Sequence, residues 1–153
     1  MINEGEQFPE FSLPDQNGEV VTFDILKGKE LVFYFYPKDD TTGCTIEACE
    51  FRDILPSIPN ATVIGVSPDN SRSHRKFADK YNLSFTLLAD TNQELCRAVG
   101  VWVEKSMYGK KYMGVERTTI IVDASGNVAK VFNKVKPQGH ASEVRTIVEQ
   151  LGR

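Results

Sequence analysis

Tyr36-Pro37-Lys38-Asp39-Asp40-Thr41-Thr42-Gly43-Cys44-Thr45-Ile46-Glu47-Ala48-Cys49-Glu50-Phe51 is the stretch on which the reading of the whole chain turns. Ahead of it runs Leu31-Val32-Phe33-Tyr34-Phe35-Tyr36. A strand covered on both faces loses its polar alternation, so this run predicts a buried central strand. A polar turn follows, then a helix. Thr41 or Thr42 is suited to cap it, because a side-chain oxygen there can accept an orphan backbone N–H. Cys44 then falls in the first helical turn, where unpaired N–H groups and the helix dipole place partial positive charge. A thiolate is stabilised in such a place and its pKa falls. The thiolate is the nucleophile, and free cysteine holds only a few per cent of it at neutral pH. Strand, loop, helix start and cysteine in that order predict a reactive sulfur at the carboxyl end of a strand, where open α/β sheets place their sites.

Cys49 follows Cys44 by five residues. In an intact helix that spacing means a rise of about 7.5 Å and a Cα–Cα separation of about 8.7 Å. A disulfide tolerates roughly 7 Å at most. The two sulfurs therefore cannot bond while the helix is whole; if they bond, the first turns must unwind. The plainer reading makes both cysteines small buried hydrophobes, a common fate of free cysteine. The polar turn before Cys44 argues against that for Cys44, whereas Cys49 taken alone would be read as buried.

Pro37-x-x-x-Thr41-x-x-Cys44, followed by Glu47 and Cys49, resembles the active-site stretch of peroxiredoxins. The four residues between the cysteines, and Tyr36-Pro37-Lys38-Asp39-Asp40 before them, resemble the bacterioferritin comigratory protein group, or Q type. A second stretch, Val101 to Asp123 with Arg117 inside it, is similar to the same group, and the order of elements matches over nearly the whole chain. One departure is Thr42, where the family usually has proline, which loosens the loop slightly.

Composition sets bounds. The 153 residues suffice for one domain with a real core, and the expected organisation is a single thioredoxin-like peroxiredoxin domain over residues 1–153. Hydrophobic residues at 41% and charged residues at 25% are ordinary for a soluble globular protein. A net charge of −3 gives no reason to expect nucleic acid or an anionic membrane as partner. No apolar run approaches a membrane span, and the polar start Met1-Ile2-Asn3-Glu4-Gly5-Glu6-Gln7 has no signal-peptide pattern, so the expected compartment is the cytoplasm. Three cysteines do not make a disulfide-stapled scaffold, and in a reducing compartment a reactive pair reads as catalytic.

Taken in order, Phe8 to Thr22 reads as one or two short strands around the turn Asp15-Gln16-Asn17-Gly18. The cysteine helix runs to about Leu55, with Pro56 and Pro59 ending it. Thr62 to Val66 is a second buried strand, closed by Ser67-Pro68-Asp69 as a turn and helix cap. Ser71 to Tyr81 is a helix with Phe77, Ala78 and Tyr81 on one face; Ser84 to Ala89 is a short strand or extended segment. Asn92 to Val99 is a short helix that turns Leu95, Cys96 and Val99 inward. Thr118 to Val122 and Val128 to Phe132 form a hairpin. Ala141 to Leu151 is an amphipathic helix with Val144, Ile147, Val148 and Leu151 inward, and Gly152 suits its end. The alternation predicts an α/β architecture, a parallel core with an antiparallel hairpin added. This is the layout of a thioredoxin-like fold with an N-terminal β extension and a mixed central sheet flanked by helices.

The resemblance implies a thiol-dependent peroxidase acting on hydrogen peroxide and organic hydroperoxides, with no cofactor and no metal. Cys44 attacks a peroxide oxygen and becomes a sulfenic acid, Cys49 condenses with it to a disulfide, and an external dithiol, thioredoxin by likeness, resets the pair. Glu47, one turn from Cys44, would by itself disfavour the thiolate, so a cation is needed. Arg117 matches the family arginine that contacts cysteine and peroxide, and arginine stays charged throughout. Thr41 would hydrogen-bond the peroxide, and Pro37 would shield the sulfur. Each has a blander reading: a solvated charge, a cap, a turn residue. The group's members resemble monomers or weak dimers, and a monomer is expected here.

The remaining candidates read as structural. Cys96 is expected in the core. His74 on Ser71-Arg72-Ser73-His74-Arg75-Lys76, and His140 before the last helix, are expected to face solvent or to cap. Zinc held by the cysteines and histidines would need a different spacing. Trp102, Met107, Tyr108, Tyr112 and Met113 suit either a partner surface or an apolar loop on the core, and Lys105, Lys110 and Lys111 a solvated face. Two rival functions are a thioredoxin-like disulfide reductase and a non-enzymatic redox sensor. The reductase predicts Cys-x-x-Cys and a proline just before Thr118, where this chain has four intervening residues and Arg117.

Overall fold

The computed structural model describes residues 1–58 and 60–152; Pro59, expected to help end the cysteine helix, lies outside the described residues. The centre is a five-stranded sheet in the order β5-β4-β3-β8-β9. Its members are β3 (Glu30–Phe35), β4 (Ala61–Ser67), β5 (Thr86–Ala89), β8 (Thr118–Val122) and β9 (Val128–Phe132). β3, β4 and β5 run parallel, while β8 is antiparallel to β3 and to β9. The apolar run thus forms the middle strand of a mixed sheet in a thioredoxin-like fold.

Strand alternation divides the interior in two. Leu31, Phe33 and Phe35 face one core, together with Ile64, Val66, Ile120 and Val122. Val32, Tyr34 and Tyr36 face the other, with Val63 and Ile121. Each fully buried side chain of this size contributes about 1.5–3 kcal/mol relative to exposure. The first core is closed by Phe8, Leu13 and Phe23 from the N-terminal extension and by Leu95, Cys96 and Val99 of α4 (Glu94–Val99). The extension holds the antiparallel pair β1 (Ser12–Pro14) and β2 (Val20–Thr22), then a one-turn helix α1 (Phe23–Leu26) that the sequence pattern did not announce. The second core is closed by α2 (Thr42–Ile54), α3 (Ser71–Tyr81) and α5 (His140–Leu151), through Cys44, Ala48, Phe51, Phe77, Ala78, Val144 and Val148.

Several local expectations change. Neither Thr41 nor Thr42 caps α2 through its side chain; Thr41 is the N-cap by position, but its hydroxyl donates to the Lys38 carbonyl at 2.9 Å. The cap of α3 is Asn70, whose side chain accepts from the Ser73 amide at 2.9 Å, and Asp69 is used elsewhere. Leu151 is exposed rather than inward, while Val144 and Val148 of the same stripe are buried. The aromatic stretch is no loop packed on the core. It is a projecting hairpin, β6 (Trp102–Met107) and β7 (Lys110–Val115), turned by Tyr108 and Gly109 at φ 51° and 78°. Two successive residues of positive φ are what a two-residue hairpin turn demands. Trp102 packs on the core at its base, but Met107, Tyr108, Tyr112 and Met113 are exposed. Among the described residues no helix is long and apolar enough to cross a membrane.

Candidate active site

β8 is antiparallel to β3, with Phe35 opposite Thr118. The start of β8 therefore lies beside the end of β3, where the loop to α2 departs. That topology brings Arg117 to Cys44 across 73 residues of sequence. The Arg117 carbonyl accepts the Val135 amide at 2.9 Å, which fixes the backbone from which the guanidinium extends.

The first backbone bond of α2 runs from the Thr45 amide to the Thr41 carbonyl at 2.8 Å. Cys44 lies in the turn before it, where amides lack intrahelical partners. Its side chain faces inward with Glu47, Ala48 and Phe51, the i, i+3, i+4, i+7 stripe of a buried helix face. Arg117 Nη2 donates to Cys44 Sγ at 3.3 Å, and Nη1 donates to Glu47 Oε1 at 2.7 Å. Glu47 is 1% exposed, and its second carboxylate oxygen has no hydrogen-bond partner among the described residues. Burial pushes the Glu47 carboxyl up to about 7 even though Arg117 pulls it down. Gly43 makes room for the fork. A Cβ at that position would sit 3.1 Å from Arg117 Nη2 and 3.4 Å from Pro137 Cγ.

The structure thus brings together Cys44, Glu47 and Arg117. Pro37, half-buried, and Thr41, exposed, lie on the loop directly before Cys44. Cys49 is half-buried on the same unbroken helix, and both thiols are free. Cys96 is buried, and burial pushes its thiol far up.

The two histidines are where the sequence reading fails. His74 is fully buried: Nδ1 meets Asp39 Oδ2 at 2.6 Å, and Nε2 meets the Leu88 carbonyl at 2.9 Å. A signal was present, since His74 stands three and four residues before the buried Phe77 and Ala78, on the same helical stripe. His140 is also buried, with Nε2 2.7 Å from Thr119 Oγ1; burial lowers its pKa. Asp39 has no role of its own in the sequence reading, yet it is buried and accepts from Tyr36 Oη at 2.6 Å. Atoms of Asp39, Asp69 and His74 lie within 4.8 Å of one another. Both Asp39 oxygens, both His74 nitrogens and Asp69 Oδ2 are taken up by hydrogen bonds, which accounts for the cluster without a cation. Lys105 is a further correction: unlike exposed Lys110 and Lys111 it is half-buried, and burial followed by the Arg117 charge lowers its pKa against the opposing pull of Glu116 and then Cys44.

The chain is similar to known proteins over most of its length. The AhpC/TSA family model matches residues 5–131. Peroxiredoxin Bcp of Bacillus subtilis is 46% identical, covering 98% of this chain and 97% of its own. Peroxiredoxin Bcp of Escherichia coli is 41% identical, covering 91% of this chain and 90% of its own. Among solved structures, a bacterioferritin comigratory protein of Xanthomonas campestris with alkyl peroxide reduction activity superposes with a TM-score of 0.89 at 38% identity, covering 94% and 92% of the two chains. A PrxQ variant of Xylella fastidiosa superposes with a TM-score of 0.94 at 33% identity, covering 100% and 99%. On this agreement of sequence and fold, the chain belongs to the AhpC/TSA family, within its Bcp/PrxQ peroxiredoxins, and is a peroxidase.

Proposed function

We propose that this chain works as one catalytic domain over residues 1–153, a monomer that reduces alkyl hydroperoxides and hydrogen peroxide by a two-cysteine cycle. The observation that carries the reading is the Arg117 fork, which places a permanent cation 3.3 Å from the sulfur of Cys44. The Cys44 thiolate attacks one peroxide oxygen, the O–O bond breaks, and the electron pair leaves with the other oxygen, which takes a proton as alcohol or water. Sulfur is thereby oxidised to sulfenic acid. Thr41 orients the peroxide from the exposed side through its hydroxyl, and Pro37 screens the sulfur from water. The Cys49 thiol then displaces hydroxide from the sulfenic sulfur. A Cys44–Cys49 disulfide forms and water is released. A thioredoxin-type dithiol returns both thiols by exchange. Glu47 supports the site by holding the second nitrogen of Arg117. Arg117 also occupies the position before β8 where the disulfide-reductase reading expects proline.

One equivalent of hydroperoxide added to the reduced protein, followed by peptide mapping, tests the cycle. A Cys44–Cys49 linkage is expected. Oxidation of Cys44 without that linkage would reject Cys49 as the resolving thiol, and an unoxidised Cys44 would reject the cycle altogether.

A further inference from the structure

The loop between β3 and α2 is moored to α3 by two successive aspartates. Asp39 is the inner mooring. Its Oδ1 accepts from Tyr36 Oη at 2.6 Å, and its Oδ2 accepts from Ser73 Oγ at 2.8 Å and meets His74 Nδ1 at 2.6 Å. The Leu88 carbonyl opposite His74 Nε2 can only accept, so Nε2 carries a hydrogen. One proton then lies between Nδ1 and Oδ2, and every polar atom of the pair is engaged. The Asp39 amide is held as well, donating to Asp69 Oδ2 at 2.8 Å. Asp40 is the outer mooring, in the left-handed region at φ 57°, with Lys80 Nζ and Tyr81 Oη on its carboxylate at 2.8 and 2.7 Å. The Asp40–Lys80 pair is solvent-exposed, and such pairs contribute little. The buried pair dominates.

Tyr36, Asp39 and Asp40 precede α2, and their partners Asp69, Ser73, His74, Lys80 and Tyr81 follow it on α3 and the turn before α3. The segment they hold carries Pro37 and Thr41. The segment that must unwind for Cys44 to reach Cys49 begins at Thr42. We propose that the buried Tyr36–Asp39–His74 chain is a positioning device: it fixes the peroxide-facing loop to α3 independently of α2, so that the helix start can unwind while the loop stays in register. Asp39 and His74 act through the loop and are positioning residues, not catalytic ones. This rests on the two-cysteine reading above.

The test separates the two chemical steps. In a Cys49→Ser background, the rate of Cys44 oxidation by cumene hydroperoxide is followed by quenching and mass spectrometry. With Cys49 present, closure of the disulfide is followed after a rapid pulse of peroxide. Asp39→Ala is expected to slow Cys44 oxidation about tenfold to a hundredfold, the scale of a small misplacement of binding groups, and to leave closure unchanged. Asp39→Asn is expected to restore most of the rate, because its amide can donate to Nδ1 while its oxygen accepts from Tyr36. A purely structural role predicts a lower Tm with both rates normal per folded molecule. That result, or equal slowing of both steps, overturns the proposal. If Asp39→Ala does not fold, Tyr36→Phe decides. It is expected to accelerate amide exchange over residues 38–41 and to slow oxidation, and wild-type values for both overturn the proposal. Failure of the parent chain to oxidise Cys44 would instead reject the cycle itself.

Discussion

Arg117 holds the sulfur of Cys44 at 3.3 Å with one terminal nitrogen and the carboxylate of Glu47 at 2.7 Å with the other. The two acceptors lie one helical turn apart on α2, so a single planar cation spans the inner face of the first turns. A lysine cannot do this, because its ammonium is one point charge without a fork.

Arg117→Lys is therefore expected to fold and to lose peroxidase efficiency by about 10²- to 10³-fold, the range found when one pre-organised donor is removed from a developing charge. The loss is expected in the rate of Cys44 oxidation, read by stopped-flow at several peroxide concentrations. A loss below threefold would show that the fork is dispensable.

Gly43→Ala separates stability from activity. Alanine in a helix is favoured over glycine by roughly 1 kcal/mol. Here the added methyl would sit 3.1 Å from Arg117 Nη2, so the guanidinium must give way. The expected outcome is an unchanged or slightly raised Tm with Cys44 oxidation slowed about tenfold, since small misplacements of catalytic groups are costly. Thermal melts and single-turnover oxidation of the same samples decide it.

Glu47 makes stability depend on pH. Burial raises its carboxyl from 4.5 to about 7, so the folded chain binds a proton there that the unfolded chain has released. The contribution is fully present below about 4.5 and is lost as pH rises through about 7. Its size is on the order of 3 kcal/mol from that shift. Glu47→Gln is expected to remove this slope. Urea unfolding at pH 4.5 and pH 8 should show wild type losing stability relative to the variant across that window, and parallel profiles would contradict it.

The free thiols of Cys44 and Cys49 lie on one unbroken helix, Thr42–Ile54. Since their spacing exceeds what a disulfide spans, oxidation is expected to reduce far-UV helical ellipticity and to accelerate amide exchange over residues 42–50. Cys49→Ser should oxidise at Cys44 with helix α2 intact. An oxidised wild-type protein that retains full protection over this segment would show that the linkage forms without unwinding.

What the sequence determined by itself was local and periodic. Six successive apolar residues, Leu31 to Tyr36, required a strand with both faces covered, and the structure divides them alternately between two cores. Cys44 in the first turn of α2 followed from the polar turn ahead of it, and the inward stripe of Leu95, Cys96 and Val99 from helical spacing. Arg117 is singled out by its match to the family arginine, since an arginine before a strand reads by itself as a solvated charge; its contact with Cys44 is a product of the antiparallel pairing of β8 with β3.

Tertiary structure alone decided the fate of the polar groups. His74 sits in a run of charged and hydroxyl residues that looks solvated, and Asp39 is the first of two aspartates in a polar loop. Each is buried because the other is there: a polar group can leave water only where a partner replaces the lost hydrogen bonds. That partner is 35 residues away, so no local pattern specifies it. His140 meets Thr119 on the same terms. The hairpin of Trp102 to Val115 shows the converse, where strand pairing leaves Tyr108 and its apolar neighbours in solvent although the sequence leaves open whether they face solvent or pack on the core. Periodicity records which residues need burial. Which polar side chains accompany them depends on distant partners meeting, and only the folded chain brings those together.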